Sequence, residues 1–355
     1  MKYFSERLKN ARKMNGLSLQ DLSNILDNQI SKQDLNRLET GIQQPDSKTV
    51  ALFADILKLP MDYFFKEQPI SLEMVAFRKL TKLPVKEQEK IKALTIDYLE
   101  RYFELENLLG NAKGNPFVHQ GYKIGTDNPK EDIEKAANYI RTYILKIGLD
   151  PIYNIFELLE ENEIKVFPIE SELSFSGMST VVNENIMVIV FNNRKDIPLV
   201  RKRFTLLHEL AHLYLDLTDF DEKQSERLCD AFANALILPA EKLNEYFGGK
   251  RVTVFTSELK NIKEYYGISL PAIMYKAKEL DLISEHYFKY FMIRYNQNYK
   301  KEEEKGYEGK EESKRFIQLL MRAVAQEIIS TAKAASLNNQ KLGDFREQYL
   351  DASVN

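Results

Sequence analysis

Residues 206–215 read LLHELAHLYL, two histidines four positions apart with a glutamate directly after the first. The apolar residues around them recur at helical spacing. On a helix each residue turns about 100°, so positions i and i+4 share a face one turn apart. His208 and His212 therefore direct two imidazole nitrogens at one point, with Glu209 beside them. Zinc accepts imidazole and carboxylate, and a catalytic zinc site uses three protein ligands and leaves one position for water. The metal would bring that water's pKa toward about 7, and Glu209 would take its proton. A chance match of these three residues in a chain this size is of order one in a hundred at average composition. Two such histidines buried on an apolar helix without a metal would also be costly unless paired.

A third ligand is sought in the next helical stretch, SERLCDAFANALILP, residues 225–239. Glu226 opens it, and Asp230 lies four positions on, on the same face. Glu226 can bind the metal while Asp230 accepts the outer N–H of a ligand histidine and so sets its tautomer. Asp216, Asp219, Asp221 and Glu222 compete for the third position from the loop between the helices, but a loop holds a carboxylate less firmly. Upstream, residues 164–169, 176–182 and 186–191 have the composition of short strands, with a turn at 183–185. Helices are expected at 130–148, 152–162, 197–217 and 222–238 and again within 252–283, while YFKYFMIRYN, 287–296, is expected as a closing strand.

The N-terminal third follows another pattern. Apolar positions from Leu8 to Leu57 recur at helical spacing, giving five short helices in about sixty residues. Within LSLQDLSNILDNQISKQDLNRLETG, 17–41, Ser18 is a plausible cap and the second helix spans 31–40. Leu35 and Leu38 form its inner side, and Lys32, Gln33, Asn36 and Arg37 its outer side. Gln and Asn suit adenine, and Arg and Lys suit guanine or phosphate. Gln20, at the start of the preceding helix, suits a backbone phosphate. The turn at 27–29 is long for such a motif.

Composition bounds the rest. The chain has 355 residues, 44% of them hydrophobic, enough for two or three domains. No apolar run approaches the roughly 18 residues of a membrane span. The N-terminal residues lack a signal-peptide pattern, and the single cysteine, Cys229, forbids an internal disulfide. The expectation is a soluble cytoplasmic protein without membrane partners. The formal charge of −3 requires any DNA contact to come from a local patch. The charge run YKKEEEKGYEGKEESKRF, 299–316, reads as a solvated loop, followed by one helical stretch over 316–334.

RFTLLHELAHLYL followed by ERLCDAFANALILP resembles the ImmA/IrrE family of metallopeptidases, with Arg203, Phe204, Thr205, His208, Glu209, His212, Glu226, Phe232, Ala233 and Pro239 in matching places. Cys229 stands where alanine is usual and Asp230 where asparagine is common. FSGMS, 175–179, resembles the family's strand before the motif, with Ser176 replacing a more usual aspartate. The resemblance spans about residues 130–290 and implies a zincin-like fold in which Glu226 completes a Zn2+ site with His208 and His212, Glu209 being catalytic. Residues 4–65 resemble the XRE (Cro/repressor-type) helix-turn-helix family through ISKQ, Glu39, Gly41, Pro45 and DYFF. That resemblance implies binding to a double-stranded DNA operator, usually as a two-fold homodimer.

The expected architecture is mainly α with a small β-sheet, an α+β chain. It comprises a helix-turn-helix domain at 1–66, a helical connector at 67–115, broken near Pro84, a zincin-like domain at 116–298, and a charged loop with a C-terminal helical segment at 299–355. The expected function is a DNA-binding regulator whose peptidase domain cleaves a repressor, itself or another partner protein in response to a signal, with a repressor or a toxin as the expected protein substrate or partner. The alternative is a repressor or antitoxin whose zincin-like domain only senses a ligand or grips a partner.

Overall fold

A computed structural model describes residues 3–66, 83–110, 121–182, 186–299 and 307–350. They form two compact units. The expected turn at 183–185 and residues 67–82 and 111–115 of the connector lie outside the described residues.

The first unit begins with α1 (Phe4–Met14), α2 (Leu19–Ile25), α3 (Lys32–Glu39) and α4 (Ser47–Ile56); the expected fifth helix is a 3-10 turn over Met61–Phe65. Local chemistry sets the boundaries. Ser18, Ser31 and Asp46 each cap the helix that follows by accepting a backbone N–H from its first turn. Between α2 and α3 the chain takes left-handed backbone at both Asp27 and Asn28, φ 50° and 58°, residue types that tolerate it. Phe4, Leu8, Leu22, Leu35, Leu38, Val50, Phe53 and Phe64 fill the core. Pro84 precedes α5 (Val85–Leu109), which ends at Gly110 with φ 66°. Along α5, Ala93 enters this core and Leu105 joins a second one made by the C-terminal helices. The single helix expected at 316–334 is instead Arg315–Ala325 and Thr331–Leu337, followed by Leu342–Tyr349. The break lies at Glu327, φ 57°, and Ser330 recaps the chain.

The second unit holds α6 (Pro129–Tyr139), continued by a π turn, and α7 (Ile155–Glu161), β2 (Lys165–Ile169), β3 (Gly177–Val182) and β4 (Ile186–Asn192), then α8 (Leu199–Tyr214) and α9 (Glu222–Ile237). The three strands form one sheet in the order β2-β4-β3, with β2 parallel and β3 antiparallel to β4. A two-residue strand β1 (Tyr122–Lys123) pairs in parallel with β5 (Leu215–Asp216), directly after α8. Then come α10 (Ala240–Phe247), α11 (Thr256–Tyr266), α12 (Leu270–Glu279) and α13 (Glu285–Arg294). The architecture is α+β. One large core joins Ile189 and Phe191 of the sheet to Leu206, Leu210, Phe232 and Leu236 of α8 and α9.

Two expectations are corrected here. Residues 287–296 are not a closing strand but lie in α13 and its π continuation. Ser284 caps this helix through the Tyr287 N–H at 3.1 Å, and Tyr287, Phe288 and Phe291 pack against the core at i, i+1 and i+4. Aromatic and β-branched content imitated a strand, and the cap decided for a helix. Residues 300–306 of the charge run lie outside the described residues, and the remainder is not simply a solvated loop. Glu311 is buried, and its side chain ends against Arg203 of α8.

Candidate metal centre and candidate nucleic-acid interface

The candidate metal centre lies where α8, α9 and the edge strand β3 meet. Its helices are positioned by capping and burial: Asp221 caps α9 in a reciprocal box with Gln224, so Glu226 falls in the first turns with its side chain toward α8. His208 and His212 lie one turn apart, their Nε2 atoms 3.2 Å from each other. The Glu226 carboxylate faces both, one oxygen 3.3 Å from His208 Nε2 and the other 3.3 Å from His212 Nε2. Taking one donor atom from each residue, all three lie within 4.8 Å of one another. Zinc with ligand bonds of 2.0–2.1 Å in tetrahedral array separates its ligand atoms by roughly 3.3–3.4 Å. The imidazole pair already has that spacing, and each carboxylate oxygen holds it from one imidazole.

The outer contacts fit the same donor set. His208 Nδ1–H donates to Asp230 Oδ1 at 2.8 Å, leaving the Nε2 lone pair for the centre. On the far side of His212 the Cys229 thiol lies 3.6 Å from Nδ1. Glu209, 2% exposed, accepts a hydrogen bond from the Ser179 hydroxyl of β3 at 2.8 Å. None of the loop carboxylates considered as ligands joins the cluster among the described residues; Asp216 instead accepts from the Thr218 hydroxyl and N–H, and Asp219 pairs with Lys123.

Two residues that sequence reasoning passed over stand out. Ser179 orients Glu209 across a separation of 30 positions. Gly177 allows this: a Cβ there would lie 2.7 Å from Thr205 Cγ2 and 3.2 Å from Glu209 Cγ, so any side chain would push β3 off α8. A glycine inside a strand signals such a close approach. Arg203, fully buried, serves a different purpose. It donates to the carbonyls of Ile152, Tyr266 and Gly267 at 2.6, 3.1 and 3.0 Å and pairs with Glu311 Oε1, while Glu311 Oε2 accepts the Phe156 N–H at 2.9 Å. Burial pushes the Glu311 carboxyl upward, and Arg203 and the Phe156 N–H pull against it. This clamp holds the start of α8 in register with its neighbours.

The candidate nucleic-acid face lies on α3. Leu35 and Leu38 are buried, while Lys32, Gln33, Asn36 and Arg37 are all exposed. Gln20 is exposed at the start of α2 and donates to Asn24 Oδ1 at 2.9 Å. Arg12 of α1 grips Glu39 at the end of α3 through two hydrogen bonds of 2.6 and 2.8 Å, which fixes the angle at which α3 leaves the core. The Asp21 carboxyl is held down at about 2 by the Lys86 ammonium and by hydrogen bonds from Ser18.

Comparison with known proteins accords with both halves. A helix-turn-helix family model matches residues 8–64, and the model of the IrrE N-terminal-like domain, of peptidase family M78, matches residues 159–278. No curated protein matches the chain. Among the described residues no helix is long and apolar enough to cross a membrane. The chain thus joins an XRE-type helix-turn-helix domain, the mark of a DNA-binding regulator, to an IrrE-like domain that carries the paired histidines.

Proposed function

We propose that the chain is an operator-binding regulator whose IrrE-like domain is a zinc-dependent endopeptidase acting on a repressor, a toxin or another protein partner. The observation that carries this reading is the convergence of His208, His212 and Glu226 at zinc-ligand spacing with Glu209 alongside. His208, His212 and Glu226 would hold Zn2+, which would supply Lewis acidity for a peptide carbonyl and for the attacking water. Glu209 removes a proton from that water and later returns it to the leaving amine nitrogen. Ser179 holds one Glu209 oxygen in place through the two transfers, and Asp230 stabilises positive charge developing on His208. A purely structural zinc site needs no buried carboxylate beside two of its ligands, and this favours hydrolysis over ligand sensing alone. In the DNA-binding half, α3 enters the major groove with Gln33, Asn36 and Arg37 toward base edges and Lys32 and Gln20 toward phosphates. One helix reads few base pairs, so the operator-bound form is a homodimer.

The test is metal analysis followed by a cleavage assay against proteins encoded beside this chain, comparing wild type with Glu209→Gln. Cleavage should fall about 10²–10⁴-fold in the variant while zinc content stays at the wild-type level. A variant that retains full activity in the cell sinks the peptidase reading even if zinc is bound, and leaves the sensing or partner-binding alternative.

A further inference from the structure

Beside the metal centre the second unit carries a cavity of about 610 Å³. Its wall is apolar, formed by Phe204, Pro271, Tyr275, Phe288 and Met292. It adjoins the candidate centre. Asp230, which holds His208, lines it, and so does Phe204, one turn before His208, with the two rings 6.4 Å apart. Two arginines, Arg201 on α8 and Arg227 on α9, also line the cavity; both are exposed, and neither forms an ion pair with a described acid.

We propose that this cavity is the substrate subsite next to the scissile bond, and that it selects a peptide segment with bulky apolar side chains flanked by an acidic residue. The inference rests on the peptidase reading and adds a substrate class to it. Three observations support it. The volume lies in the range that accepts a drug-sized ligand, so it holds more than one side chain. Burying apolar side chains there releases water from both surfaces. The unpaired guanidiniums on two different helices offer planar, two-pronged binding to a carboxylate, and would repel a basic residue at the same place.

The test separates subsite from catalysis. Zinc-loaded Glu209→Gln protein is titrated with two fluorescent peptides, each with two adjacent bulky apolar residues followed by either Glu or Lys. Binding should favour the Glu peptide by about ten-fold, since each arginine contributes modestly in a partly solvated rim. Arg201→Ala with Arg227→Ala should erase that preference. Ala272→Phe, which puts a ring at a lining position, should weaken both peptides, with zinc content and circular dichroism held at the parent values. Equal binding of the two peptides, or a preference that survives loss of both arginines, overturns the subsite even if wild type cleaves protein. Failure of both peptides to bind overturns it too, whether or not 4-phenylbutyrate, a small apolar acid, is retained. Arginine-dependent binding in a chain whose wild type cleaves nothing supports the peptide site and sinks the peptidase reading alone.

Discussion

The candidate sites on α3 and on α8 are built in opposite ways. In α3 the core takes Leu35 and Leu38, and the residues proposed to meet DNA are exposed on the other side. In α8 the core takes eight residues, among them Arg203 and Glu209, and the candidate chemistry exists only where α9 and β3 converge on it. A helix that reads an external partner needs correct spacing along itself. A helix that builds a metal centre needs other elements held to within a fraction of an ångström, and buried clamps such as Arg203–Glu311 hold them.

The sharpest way to break this contrast is to remove the clamp. Glu311→Ala leaves the buried Arg203 charge with carbonyl acceptors but without its carboxylate, and should cost about 3–5 kcal/mol in denaturant unfolding of its unit, with any zinc it holds released at a lower denaturant concentration. Glu100→Ala in the first unit is the comparison. Its carboxylate pairs with Arg7 at 2.5 Å, but its other oxygen has no partner among the described residues, and the pair is less fully buried, 3% and 7% exposed against 0% for both Arg203 and Glu311. The loss there should be smaller; an equal or larger loss would show that clamping is no special property of the metal unit.

On α3 the opposite outcome is expected. Gln33→Ala and Arg37→Ala should each weaken specific operator binding by about 1–3 kcal/mol where they contact a base. Stability should stay within about 0.5 kcal/mol in thermal unfolding, because both side chains are exposed. A matching loss of stability would show that the outward face also holds the fold together. Next comes Asp230→Ala, which should weaken zinc about 10–100-fold in chelator competition by freeing the His208 ring. Unchanged affinity would remove Asp230 from the site.

The smallest effect concerns acid. Asp21 lies at about 2 when folded against an ordinary 3.8. Its contribution is therefore present above the unfolded value and lost as pH falls from roughly 5 toward 2. Asp21→Asn should flatten that part of the first unit's stability profile; a profile unchanged from wild type would show that the Lys86 contact contributes nothing.

Much of the placement of both candidate sites was legible from the order of residues. The i, i+4 histidines, the outward polar face of α3, and Glu226 and Asp230 on one face of α9 all follow from helical periodicity, which backbone hydrogen bonding imposes locally whatever the rest of the chain does. Periodicity failed where composition favoured the wrong element: 287–296 was rich in aromatic residues, yet one serine cap turned it into a helix.

Only the tertiary structure decided that Ser179 meets Glu209, that Gly177 lets β3 approach α8, that Glu311 leaves a charge run to enter the core, and that Arg201 and Arg227 border one cavity. Glu311 and Arg203 stand 108 positions apart, and no repeat along the chain relates them. Such pairs form because packing fixes the distance between elements and buried polar groups must then find partners wherever the fold has brought them.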